Sequence, residues 1–192
     1  MAPKIKILLS VFMCTVLNTL LAFIVQPRLS LFLDTVFTIA ICFQYGLIPG
    51  IATAALTSLC IDFTLYPNRF NFPFVLCTLC IVFLVCYFKR NYVKYQEISA
   101  ALLIHLFLLG LVSSLSVSIL GELLNLVMGV LFDQKFHYTT DWYQIFFLRH
   151  GFPEPIAGFL SRLLVNTIDQ LFSVFTGYGV FYLFARKKDK SS

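Results

Sequence analysis

The sequence predicts an all-α integral membrane protein, a compact bundle of six transmembrane helices with both termini in the cytoplasm and outer loops that form a lid. Of its 192 residues, 59% are hydrophobic and 12% are charged, whereas ordinary soluble domains carry about 25% charged residues. Apolar stretches of bilayer-spanning length recur along the chain. No polar stretch reaches the roughly 50 residues that a second domain needs, so residues 1–192 are expected to form a single membrane domain.

Prolines, glycines and charges divide the apolar sequence into spans. The first is too long for the core of a secretory signal and no small-residue cleavage site follows it, so we expect it to stay in the mature protein. The second and third are short for a hydrocarbon core that needs about 20 residues, and the turn GLIPG separates them. The fifth exceeds what a bilayer requires and is expected to project or to bend near SSLSVS. The predicted spans are 5–25, 31–45, 50–63, 74–88, 98–132 and 156–184.

Lysine and arginine positions set the predicted orientation. With six spans both termini share a side, and that side collects nine basic residues against four on the other. This excess places the termini in the cytoplasm by the positive-inside rule. The net charge of +5 then reflects topology, and because the basic clusters are short and border the spans, we expect no nucleic-acid partner.

Neither the cysteine pattern nor any catalytic motif in the sequence indicates a metal site, a cofactor or an enzyme. All six cysteines lie within or at the edges of apolar spans. Cys77 and Cys80 form one C-x-x-C pair without a second, which is typical of buried thiols rather than of a zinc site. The sequence has no P-loop, no H-E-x-x-H and no G-x-S-x-G, so we predict no catalytic residues.

Polar residues form stripes on two of the apolar spans. In the last span Arg162, Asn166 and Asp169 are spaced i, i+4, i+7 and therefore share one helical face. Glu122 and Asn125 belong to a similar stripe on the fifth span. Ionisable groups in hydrocarbon cost about 3 kcal/mol or more unless they are paired or wetted, so both stripes are expected to face the interior of the bundle.

Two interpretations of these polar groups remain open. Arg162 could pair with Glu122 or Asp34 and simply fasten helices together, although one salt bridge does not account for the buried asparagines. Alternatively, the stripes and the outer loops could form a small-molecule pocket, with aromatic rings for stacking, although any single ring could equally belong to an interfacial belt. The predicted substrate-binding residues are Asn18, Asp34, Tyr66, Arg69, Glu122, Asn125, Tyr138, Trp142, Arg162 and Asn166.

Two stretches, LFLDTVFTIAICFQYGLIPGIATAALTSL and FLSRLLVNTIDQLFSVFTGYGVFYLF, resemble the substrate-binding S component of energy-coupling-factor (ECF) transporters. The similarity covers most of the chain, including Asp34 at the start of the second span, the GLIPG turn and Asp169 in the last span. It implies a subunit in the cell membrane of a prokaryote that binds a vitamin or related micronutrient from outside. It also implies docking onto a membrane scaffold, the T component, that carries two cytoplasmic ATPases.

In that family a repeat of small residues on the first helix forms the docking face. The matching register here keeps the period of four but replaces most of the alanines, and it contains Asn18, which is also a pocket candidate. Two small residues of the third span offer another close approach. The docking residues implied by the resemblance are Ser10, Cys14, Ala22, Gly50 and Ala54.

Three other functions compete with import. A membrane-embedded enzyme could use Glu122, Arg162 and Asp169 for acid–base chemistry. A structural or sensory protein related to rod-shape-determining integral membrane proteins would have a similar size and a comparable glycine-proline turn. A self-sufficient secondary transporter would be expected to show broken helices or an internal repeat, and the sequence shows neither.

Overall fold

The computed structural model describes residues 3–29, 31–65, 71–92, 99–132 and 141–189. These ranges are helical apart from short connections, and they contain no β-strand. The described elements are α1 (Pro3–Leu29), α2 (Val36–Tyr45), α3 (Leu47–Leu65), a 3-10 turn (Phe72–Phe74), α4 (Val75–Tyr92), α5 (Ala100–Phe132), α6 (Asp141–Arg149) and α7 (Glu154–Asp189).

Five of the described helices, α1, α3, α4, α5 and α7, are long and apolar enough to cross a membrane. The all-helical prediction is therefore confirmed, and the helices indicate a multi-pass membrane protein. The predicted second span differs, because α2 has only 10 residues and a length of about 15 Å. Residues 31–35 before it are not helical.

The break between α2 and α3 occurs at Gly46 alone. Gly46 has a φ of 89°, a conformation that glycine adopts without the strain a side chain would bring, and its N–H donates to Cys42 O at 3.0 Å. Pro49, expected to interrupt the chain, lies in the first turn of α3, where its missing N–H costs nothing. Consequently α3 begins earlier than the predicted span and its 19 residues approach the length that a bilayer needs.

The later part of the chain contains one long helix and one additional helix. The predicted fifth span is a single helix of 33 residues, α5, and the serine-rich sequence lies within it. The last outer segment contains an additional short helix, α6, which was not predicted and which packs against α7.

One half of the bundle has a solid apolar core. Phe43 is fully buried there, and its ring centroid lies 5.3 Å from that of Tyr178 and 6.4 Å from that of Phe88, both in edge-to-face contact. Ile39, Val82 and other apolar side chains of α2, α4, α5 and α7 complete the cluster. The outward faces of the helices carry many exposed large apolar side chains, a surface suited to lipid rather than to water.

Candidate functional site

A cavity of about 140 Å³ lies in the other half of the bundle. Its walls come from the C-terminal halves of α1, α3 and α5, the N-terminal halves of α4 and α7, and the segment 31–35. These parts meet at the end of the bundle that the sequence predicts to face outward. The polar residues of the lining are Gln26, Asp34, Thr35, Ser58, Asp62, Asn71, Thr78, Arg162, Asn166, Asp169 and Gln170.

The non-helical segment 31–35 is held in place by Asp169. The backbone N–H groups of Phe32 and Leu33 donate to Asp169 Oδ1 at 3.0 and 2.8 Å, and Gln170 Nε2 donates to Oδ2 at 3.1 Å. Leu33 has a φ of 46°, in the left-handed region that residues other than glycine seldom adopt. Irregular backbone at membrane depth persists only where the protein satisfies it or where it lines a cavity, and this segment meets both conditions.

Asn18 of α1 takes over the capping of α2. Its Oδ1 accepts the N–H of Phe37 at 2.9 Å, and its Nδ2 donates to Thr38 Oγ1 at 2.9 Å and to Thr57 Oγ1 at 3.4 Å. Thr35 occupies the N-cap position but makes no capping hydrogen bond with its side chain, although capping is the usual role of threonine there. Asn18 therefore joins three helices, and the hydroxyl of Thr35 is left for the cavity that it lines.

The two predicted polar stripes face each other across the antiparallel contact between α5 and α7. Three pairs of side chains connect them, and the atoms of each pair lie within hydrogen-bonding distance. The pairs are Arg162 Nε with Glu122 Oε2 at 3.0 Å, Asn166 Nδ2 with Ser118 Oγ at 3.0 Å, and Thr167 Oγ1 with Ser114 Oγ at 2.9 Å. We call these three pairs the α5–α7 ladder.

The ion pair at the end of the ladder is buried and closely surrounded. Arg162 and Glu122 are both buried, and the guanidinium carbon lies 5.8 Å from the centroid of the Phe74 ring. A Cβ on Gly158 would lie 2.5 Å from Glu122 Oε1, so a larger residue at this position would require the carboxylate to move. Arg162 thus pairs with Glu122, as the structural interpretation predicts, and it also lines the cavity.

Several polar atoms of the cavity wall are buried without a partner. Within the part of the chain that the structure describes, Thr35 Oγ1, Gln170 Oε1 and both amide atoms of Asn71 make no hydrogen bond. These are four of the eight such atoms among the described residues, and all of them belong to lining residues. Since an unsatisfied buried polar group costs about 1–3 kcal/mol, the cavity is suited to a polar occupant.

The structure brings some of the predicted binding residues together and separates others. Asp34, Arg162 and Asn166 line the cavity, and Glu122 supports it through its ion pair with Arg162.

Asn18 is not a lining residue, because its amide is used between α1, α2 and α3. Asn125 is half-buried outside the cavity, and the Trp142 side chain on α6 is 81% exposed, so neither residue lines the cavity in this structure. Tyr66, Arg69 and Tyr138 lie outside the described residues.

The predicted docking register lies on the inner side of the bundle. Ala22 and Ala54 are buried, and a Cβ on Gly50 would run into the sulfur of Cys42. Ser10 and Cys14 are partly buried. Small residues permit close helix packing, and in this structure Ala22, Gly50 and Ala54 pack between helices of the same chain.

Asp62, Thr35 and Gln170 are cavity residues that the sequence analysis did not identify. Asp62 lies four residues after Ser58 on α3, so the two share a face and both line the cavity; this spacing could have indicated them. Gln170 directly follows Asp169 in an apolar span, which is a weaker signal. Thr35 is available to the cavity because Asn18 caps α2. No local sequence pattern predicts this capping.

Neither known proteins nor metal ligands identify the function of this site. No family model, curated protein or solved structure matches the chain. Among the described residues, no group of three or more His, Cys, Asp or Glu side chains could hold a metal ion.

Proposed function

We propose that this chain binds a small polar molecule in the cavity and serves in its import across the cell membrane of a prokaryote, as the S component of an ECF-type transporter. The observation that carries the proposal is a cavity whose wall contains buried polar atoms without partners among the described residues. Resemblance to S components supplies the transport context, in which a T component and two ATPases provide the energy.

The volume of the cavity limits what it holds in this conformation. An engineered apolar cavity of about 150 Å³ accepts benzene, whereas pockets for drug-sized ligands measure about 300–1,000 Å³. The observed 140 Å³ therefore holds one small ring or a group of that size. A whole vitamin requires the walls to move, and the non-helical segment 31–35 is the part of the wall with the least regular structure.

The side chains around the cavity divide into supports and binding groups. Arg162 pairs with Glu122. Asp169 accepts the backbone N–H groups of Phe32 and Leu33. Both side chains therefore support the wall of the cavity. Binding groups are those whose buried atoms have no protein partner. This division supports binding rather than chemistry on the ligand, and the energy for transport then comes from partner subunits.

Native mass spectrometry of the protein, purified in mild detergent, tests the proposal. We expect a retained small molecule that is lost in the variants Arg162→Ala and Glu122→Ala and kept in Asn125→Ala, a matched change outside the cavity. Co-purification with a membrane scaffold subunit and two ATPases would support import.

Retention of no molecule by the wild-type protein, with co-purification of cell-wall elongation proteins, would contradict the proposal. That result would favour the alternative, a structural or sensory protein related to rod-shape-determining integral membrane proteins.

A further inference from the structure

We propose that the ligand of this cavity carries a cationic, hydrogen-bond-donating group, such as a primary ammonium, that binds beside Asp34 and Asp62. This inference rests on the proposed function, because it concerns the ligand of the same cavity. Unbalanced charge on the cavity wall and unpartnered acceptor atoms in the same wall support it independently.

The charges of the described lining residues do not balance. Among these residues, three aspartates, Asp34, Asp62 and Asp169, line the cavity together with one arginine, Arg162, and Glu122 pairs with that arginine at 3.0 Å. Asp169 accepts two backbone N–H groups and one amide N–H, which stabilise its negative charge. Asp34 and Asp62 have no salt-bridge partner among the residues that the structure describes, so no described residue supplies a counter-charge for them.

Three of the four unpartnered atoms of the wall, all except Asn71 Nδ2, are oxygens that can accept a hydrogen bond. Thr35 and Gln170 are both 2% exposed, and both line the cavity with an oxygen that no described residue contacts by a hydrogen bond. Gln170 uses its Nε2 to hold Asp169, so the atom that remains is a carbonyl oxygen, which only accepts. A threonine hydroxyl can also accept. A ligand group with several N–H donors satisfies these oxygens and the carboxylates together.

These groups lie near one another around the segment 31–35. Asp34 and Thr35 are consecutive, and Asp169 binds the two preceding residues of the chain, which brings Gln170 to the same wall. An ammonium group here would donate hydrogen bonds to these oxygens and bring positive charge to the aspartates.

Alternative ligand charges fit the wall less well. A metal ion needs converging ligands, and no such group of side chains exists among the described residues. An anion would approach three carboxylates, and Arg162, the one arginine among the described lining residues, is already paired to Glu122. A neutral molecule could occupy the volume, but it would bring no positive charge to Asp34 and Asp62, and carboxylate charge is costly at membrane depth.

The test uses three probes of one size and different charge: benzylammonium, benzyl alcohol and benzoate. Affinities for the full-length protein in nanodiscs are measured by ligand-observed NMR or calorimetry. We expect benzylammonium to bind at least about tenfold more tightly than the other two, a ratio that corresponds to about 1.4 kcal/mol. Asp34→Asn and Asp62→Asn should each reduce that preference, whereas Glu154→Gln, an exposed acidic position at the start of α7, should keep it.

Equal or tighter binding of benzyl alcohol or benzoate overturns this inference and leaves the proposed function standing. A preference that survives both aspartate substitutions also overturns it, because the cation then binds elsewhere. If no probe binds, the charge of the molecule retained in native mass spectrometry decides: a cation supports the inference and a neutral or anionic molecule refutes it. Failure of all probes together with no retained molecule overturns both the inference and the proposed function. Thermal unfolding of each variant shows whether a loss of binding reflects loss of the fold.

Discussion

The interiors of the two halves of the helix bundle differ in composition and in packing. Around Phe43 the interior is filled by apolar and aromatic side chains, with ring centroids 5.3–6.4 Å apart. Around the cavity the interior contains an ion pair, buried amides and hydroxyls, and a hollow of about 140 Å³. Atoms that line a hollow lack packing contacts that atoms of the filled half make. We therefore expect the filled half to contribute most of the stability and the hollow half to bind the ligand.

A second contrast exists within the polar half. Side chains of the α5–α7 ladder satisfy one another directly, whereas Thr35 and Gln170 keep oxygens that no described residue contacts. Polar groups inside a membrane bundle can therefore connect helices or remain available to a ligand. The absence of a hydrogen-bond partner together with a position on the cavity wall distinguishes the second role, and burial alone does not.

The largest expected effect is on the filled half. Phe43→Ala should lower the free energy of unfolding by about 3–5 kcal/mol, because it leaves a cavity among rings that cannot close the gap. Thermal or denaturant-induced unfolding in detergent measures this, with Phe12→Ala as the control, since Phe12 is 62% exposed and its loss should matter little. The contrast between the halves fails if Phe43→Ala weakens ligand binding in protein that remains folded.

The next effect concerns the ion pair. Glu122→Gln should lower the free energy of unfolding by about 3 kcal/mol, because Arg162 keeps its charge in a buried position without the counter-charge of Glu122. The same unfolding measurement applies, and Glu154→Gln, at an exposed position, serves as the matched control. Equal stability of the two variants would show that the pair contributes nothing to the fold.

A smaller, more local effect is expected at Asp169. Asp169→Ala removes the acceptor of the N–H groups of Phe32 and Leu33, at a cost of about 1–3 kcal/mol. Hydrogen exchange should accelerate in the segment 31–35 and remain slow in α4, which Asp169 does not contact through these hydrogen bonds. Unchanged exchange at Leu33 would mean that the segment is held by packing rather than by the carboxylate.

The smallest effect is expected at Trp142. Because its side chain is 81% exposed and does not line the cavity, Trp142→Ala should change the free energy of unfolding by less than about 0.5 kcal/mol. Binding of the retained ligand should also be unchanged. A clear loss of binding would show that α6 closes over the ligand in another conformation and would restore the lid role predicted from the sequence.

Much of the fold and part of the site follow from local sequence patterns. Spans of apolar residues determine which segments become long helices, since an α-helix satisfies its own backbone hydrogen bonds within a bilayer. The i, i+4 spacing of Arg162 and Asn166 likewise determines that both lie on one face of α7. The short helix α2 escaped prediction because residues 31–35 are apolar enough to continue a span, and the carboxylate that binds this segment, Asp169, is distant in the sequence.

The sequence by itself determined that this protein is helical and apolar, and that polar residues of its fifth and last spans form stripes, because both properties depend on residues close together in the chain. Tertiary structure decided which of those residues pair and which line a cavity. Asn18, predicted to bind ligand, instead caps α2, and Thr35 is left to the cavity as a result. The physical reason is that a hydrogen bond weakens once the donor–acceptor distance exceeds its ideal value by a few tenths of an ångström. Helix packing sets distances on that scale.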